Sequence, residues 1–107
     1  MQTLPKAKPG AYATCRALLR NSNGLHLRSA SLLSEAANRF TSQITIRHDA
    51  VAADAKSILG LLTLLAPYGT ELTIEAVGPD ADSAVVALAS LISLRVKADR
   101  AASPSPG

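Results

Sequence analysis

His26 lies in the segment Asn23-Gly24-Leu25-His26-Leu27-Arg28, where a turn cluster that begins at Asn21 runs into apolar residues at helical spacing. A histidine at a helix start faces unpaired backbone N–H groups and a positive partial charge. That end disfavours a second positive charge on the ring, and an uncharged imidazole is a nucleophile. If the ring takes up a phosphoryl group, the new anionic oxygens meet free amides. Arg28, two residues on, can add charge-assisted hydrogen bonds. Gly24 lets backbone and partner approach closely. These types at this spacing therefore support phosphoryl transfer on His26, although a helix cap or a surface residue is the plainer role for a lone histidine there. His48, at a strand end beside Asp49, lacks this setting and reads as a solvated side chain. A Ser–His–acid triad would need a pocket and an acidic orienter, and neither is signalled. Two separated histidines and one cysteine are too few ligands for a metal site, so neither metal nor cofactor is expected.

The elements that must position these residues follow from periodicity. Ala13, Cys15, Ala17 and Leu19 alternate with Thr14, Arg16 and Arg20, which predicts a half-buried strand with Cys15 as a small core residue. Ala30, Leu33, Ala37 and Phe40 recur at helical steps and predict a helix to about Arg39. Ser42 to His48 alternates again, and Asp49-Ala50 turns the chain into a short strand, Val51 to Ala55. Ser57 to Leu65 predicts a second helix with Ser57 as its N-cap. Its leucines exceed what one buried face needs, so it is either wholly buried or carries an exposed apolar patch. Leu72, Ile74 and Ala76 alternate with Glu71, Thr73 and Glu75, giving a fourth strand. Ala81, Ala84, Val85, Leu88, Leu91 and Ile92 mark a final helix capped near Asp80 or Asp82. The order β-α-β-β-α-β-α, with one apolar face per strand, predicts an α+β two-layer sandwich: four antiparallel strands with three helices on one face.

With 107 residues, one domain is expected, and a core without Trp must be mostly aliphatic. Residues 1–10 read as a flexible leader, 11–98 as the domain and 99–107, rich in Ala, Ser and Pro, as a disordered tail. The net charge is +3, yet between Ala11 and Leu94 six basic residues face seven acidic ones. The basic excess lies at the ends, and aromatics for stacking on bases are scarce, so nucleic-acid binding is not expected. Cys15 has no partner for an intrachain disulfide. No apolar h-region opens the chain and no long apolar run follows, so no membrane insertion is expected and the cytoplasm is the default location.

The segment Gly24-Leu25-His26-Leu27-Arg28 resembles the active-site signature of HPr-type phosphocarriers of the bacterial phosphotransferase system, G-L-H-x-R-P. Ala55-Lys56-Ser57-Ile58-Leu59 resembles the second signature of that family, which holds a regulatory serine, and the 31 residues from His26 to Ser57 match the family's spacing. The resemblance runs from Ala13 to Arg95 and implies the HPr-like open-faced sandwich. It further implies that His26 takes phosphate from enzyme I and passes it to IIA-type domains, that Arg28 stabilises phosphohistidine, and that a serine kinase or phosphorylase acts on Ser57. Such a protein is a relay carrier and not a stand-alone enzyme, and a monomer is expected. Leu27, Ile58, Leu59 and Leu62 would dock the partners. A regulatory binding protein of the same fold, working through Ser57 and the apolar patch, is the alternative. Ser29 stands where the family has proline, and Asp49-Ala50-Val51 replaces the usual Asn-Gly-Lys turn. The absent proline leaves sugar uptake and nitrogen-related regulation both open.

Overall fold

The computed structural model describes residues 12–93. The expected leader and tail, and the outer limits given to the domain, lie outside them. Four strands form one antiparallel sheet: β1 Tyr12–Leu18, β2 Gln43–His48, β3 Val51–Asp54 and β4 Glu71–Val77. Three helices are interspersed: α1 Leu27–Ala37, α2 Ile58–Leu62 and α3 Ala81–Ser93. The element order is the expected one. Across the sheet the strands run β1-β4-β2-β3, so β4 and β2 are central.

Period-two patterning decides which faces are buried. Ile44 and Ile46 of β2 and Leu72, Ile74 and Ala76 of β4 are almost wholly buried, while Gln43, Glu71 and Val77 face outward. α3 lies across β1 and β4, and α1 packs against both α2 and α3. Ala30, Leu33, Leu61, Leu64, Ala84, Leu88 and Ile92 complete an aliphatic core. Burying each leucine or isoleucine contributes about 1.5–3 kcal/mol. Cys15 is half-buried at the edge of this core, less enclosed than expected.

Three sequence expectations need correction. The second helix ends at Leu62, not Leu65. Residues 63 to 65 continue through tighter bonds to the carbonyls of residues 60 to 62, and Leu65 then turns to φ +51°. The cause is local: Ala66 precedes Pro67, and a residue before proline avoids the helical region. Asp80 does not spend its carboxylate capping α3. It accepts from the backbone N–H groups of Thr41 and Ser42 (3.0 and 2.9 Å) and from the Ser42 hydroxyl, tying the β4–α3 turn to the α1–β2 loop. These bonds, the Ser42 hydroxyl foremost and then the Thr41 N–H, lower the Asp80 carboxyl from 3.8 to about 2. His48 is not solvated. Its ring is mostly buried, with Nδ1 2.8 Å from the Leu64 carbonyl and Nε2 3.6 Å from Asp49.

Candidate functional site

β1 delivers the chain to Leu19, whose N–H and carbonyl bond Thr70 and Gly69. Asn21 to Gly24 closes a turn through the Gly24 N–H and the Asn21 carbonyl, 2.8 Å apart. Gly24 adopts φ +70°, and a Cβ there would lie 2.7 Å from the Ala66 carbonyl oxygen. The close approach for which this glycine is needed is therefore internal: Gly24 is buried against Ala66 and Pro67 and is not part of an exposed docking surface. The Leu25 N–H donates to the same Ala66 carbonyl at 2.8 Å.

His26 then stands as N-cap of α1 in extended backbone (φ −135°, ψ −174°). Its Nδ1 accepts from the Arg28 N–H at 3.3 Å, satisfying one of the orphan amides of the first turn. Its backbone N–H donates to Ser29 Oγ at 2.9 Å, the reciprocal half of a capping box. The Ser29 hydroxyl in turn reaches the carbonyls of His26 (3.1 Å) and Gly24 (3.3 Å). The Asn21 amide nitrogen is 3.4 Å from Nε2. Nδ1 thus faces a backbone N–H of the first turn of α1, with no carboxylate of that turn nearby. Such surroundings suit anionic phosphoryl oxygens. Arg28 is exposed beside this donor cluster.

Sequence reasoning missed Ser29 and Asn21 as supports of the ring. For Ser29 a signal existed: it occupies N3, the capping-box position relative to His26. Asn21 and Ala66 carried no signal beyond turn composition, because their roles depend on how the chain folds back.

Ser57 does cap α2, its Oγ accepting from the Gly60 N–H at 3.0 Å. The preceding residue is clamped onto the far end of α1: the Lys56 carbonyl accepts from Ser34 Oγ (2.9 Å) and Asn38 Nδ2 (3.2 Å). The segment after α2 meets the start of α1 at Gly24 and Leu25, so the two helices run antiparallel. The seven residues from Leu27 to Ser34 span about 10 Å of helix. His26 and Ser57 therefore do not share one pocket. Leu27 is 64% exposed and Leu59 77%, while Ile58 and Leu62 are half-buried and pack against the core. The apolar surface continues to Leu65, 80% exposed, which the sequence reading did not assign. Among the described residues no cluster of three or more His, Cys, Asp or Glu side chains is arranged to hold a metal ion.

Residues 13–93 match the family described as PTS HPr component phosphorylation site. The phosphocarrier protein HPr of Cupriavidus necator is 40% identical over 75 residues, covering 70% of this chain and 84% of that protein. The crystal structure of a phosphocarrier protein HPr from Bacillus anthracis superposes with a TM-score of 0.73 at 38% identity, covering 77% of this chain and 98% of the other. Crh of Bacillus subtilis, a catabolite repression protein crystallised as a domain-swapped dimer, gives a TM-score of 0.64 at 39% identity, covering 69% and 85%.

Proposed function

The chain belongs to the HPr family of phosphocarriers of the phosphotransferase system, and on that premise we propose that His26 accepts a phosphoryl group from phosphorylated enzyme I and passes it to IIA-type domains. The observation that carries this reading is the His26 ring set as N-cap, with Nδ1 toward the Arg28 N–H. Nδ1 gives up its hydrogen bond from the Arg28 N–H, and its lone pair attacks phosphorus as the donor's bond to phosphorus breaks, the ring hydrogen staying on Nε2. The transferred oxygens then meet the first-turn amides and the Arg28 guanidinium. No deep cavity is required, because each partner supplies the other half of the site. The relay is a substrate role: the carrier turns over nothing by itself. Incubation with enzyme I and phosphoenolpyruvate should yield acid-labile phosphate on the parent and none on a folded His26→Ala variant. Acid-labile phosphate on that variant would overturn the assignment.

A second reading, a regulatory binding protein acting through Ser57, is favoured by the likeness to Crh. The two readings are compatible if Ser57 acts as a brake on the carrier. Ser57 caps α2 two residues before Leu59, the exposed residue of that helix, so a charge at Ser57 enters whatever interface Leu59 makes. A phosphoserine adds about −1.5 to −2 charges there. Ser57→Asp should slow His26 phosphorylation by enzyme I relative to Ser57→Ala, and the gap should narrow as salt rises. Equal rates at low salt would leave Ser57 as a cap only.

No helix among the described residues is long and apolar enough to cross a membrane. We place the carrier in the cytoplasm, where its donor and acceptor proteins would operate, and take it to be a monomer. Sedimentation that showed a stable dimer would instead extend the Crh likeness to assembly.

A further inference from the structure

The segment Leu64-Leu65-Ala66 is held at two carbonyls by two different parts of the fold. His48, the last residue of β2, donates from Nδ1 to the Leu64 carbonyl at 2.8 Å. Leu25, which immediately precedes His26, donates from its N–H to the Ala66 carbonyl at 2.8 Å. Between them Leu65 sits at φ +51°, a conformation that a leucine keeps only when its neighbours are fixed. The chain cannot fix Leu64 by itself. In the three-residue step of the turns that end α2, the donor to the Leu64 carbonyl would be residue 67, which is Pro67 and has no N–H. The His48 ring fills that gap. Because a carbonyl only accepts, Nδ1 carries the hydrogen.

We infer that His48 is a positioning residue for phosphoryl transfer at His26, acting through the Leu64–Ala66 backbone. The inference rests on the carrier reading for its kinetic half and on the hydrogen bonds alone for its structural half. Without the His48 donor the Leu64 carbonyl is left unpaired and Leu65 is free to leave the left-handed region. The Ala66 carbonyl then moves off the Leu25 N–H and away from Gly24, which lies in contact with it. His26 follows Leu25 directly, so its Nδ1 loses its fixed place over the α1 amides. Misplacement of a reacting group by a fraction of an ångström to an ångström lowers the rate of the step without abolishing binding.

The test compares full-length parent, His48→Leu, which removes the donor, and His48→Asn, whose side-chain amide nitrogen can take the place of Nδ1. Two quantities are read: hydrogen exchange of the Leu25 amide, and kcat and KM for phosphorylation of the carrier by phosphorylated enzyme I. His48→Leu should raise Leu25 exchange and lower kcat, each about tenfold, with KM little changed, and His48→Asn should restore both to within about threefold of the parent. A His48→Leu variant with parental Leu25 protection and kcat overturns the inference. So does a His48→Asn variant that folds as stably as the parent yet rescues neither. If the parent itself takes up no acid-labile phosphate, the carrier reading fails, and Leu25 exchange alone decides whether His48 positions the loop.

Discussion

On the proposed reading, a phosphoryl group on His26 would set its anionic oxygens against the Arg28 N–H at the start of α1, and the exposed Arg28 side chain would supply the cation. Its exposed guanidinium competes with water, so its bond to phosphate belongs at the weak end of charged hydrogen bonds, about 1.5 kcal/mol. Arg28→Ala should therefore shorten the lifetime of phosphohistidine about tenfold. The stability of the unphosphorylated fold should scarcely move, since among the described residues the Arg28 side chain forms no ion pair. Phosphohistidine lifetimes by phosphorus NMR check this, and equal lifetimes would remove Arg28 from the site. The placement of His26 and Arg28 at one helix start was legible in the sequence because it depends on residues two positions apart. Gly24 was legible as special, but its reason was not. A glycine is the same letter whether the close neighbour is a partner protein or, as here, the chain's own Ala66 carbonyl forty residues on.

At the scale of elements, alternation and helical spacing located all seven segments, because each strand and helix has one buried face. What they could not locate was the end of α2. The leucine run to Leu65 continues the helical pattern, while the backbone is diverted by Pro67 and by bonds to Leu25 and His48. The Asp80 link was hidden for a similar reason. A carboxylate before a helix reads as a cap, and nothing local shows that Thr41 and Ser42 will fold against it. This link has a measurable signature. The folded chain holds Asp80 ionised down to about pH 2, whereas the unfolded chain protonates it near 3.8. Its contribution to stability is therefore fully present above about pH 4 and is lost as pH falls through about 2. Asp80→Asn should be less stable than the parent at neutral pH, with the difference shrinking across that acid window. Denaturant midpoints at several pH values check it, and a constant difference would assign the lowered carboxyl to another group.

At the scale of the described residues, the sheet pairs β1 and β2 not with each other but both with β4, the last strand in the sequence. The edge strand β1 pairs with β4, so that Cys15 lies opposite Ile74. The segment leading to His26 is held at Leu25 by the Ala66 carbonyl and at Leu19 by the Thr70 carbonyl, both encoded long after it. Two segments of β2 and β3 can meet through their own two-residue turn at Asp49-Ala50, but β1 has nothing to pair with until β4 exists. A chain ending at Tyr68 should therefore take up no phosphate from enzyme I even though it contains His26, Arg28 and Ser57, whereas the full chain should. Acid-labile labelling of the two would show it, and labelling of the fragment would mean that the histidine loop is set locally. During synthesis at about 5–20 residues per second, the interval between completing the active-site motif and completing β4 amounts to a few seconds. For that interval the ribosome would carry a signature with no site behind it, and on the proposed reading a carrier still being made should not be charged.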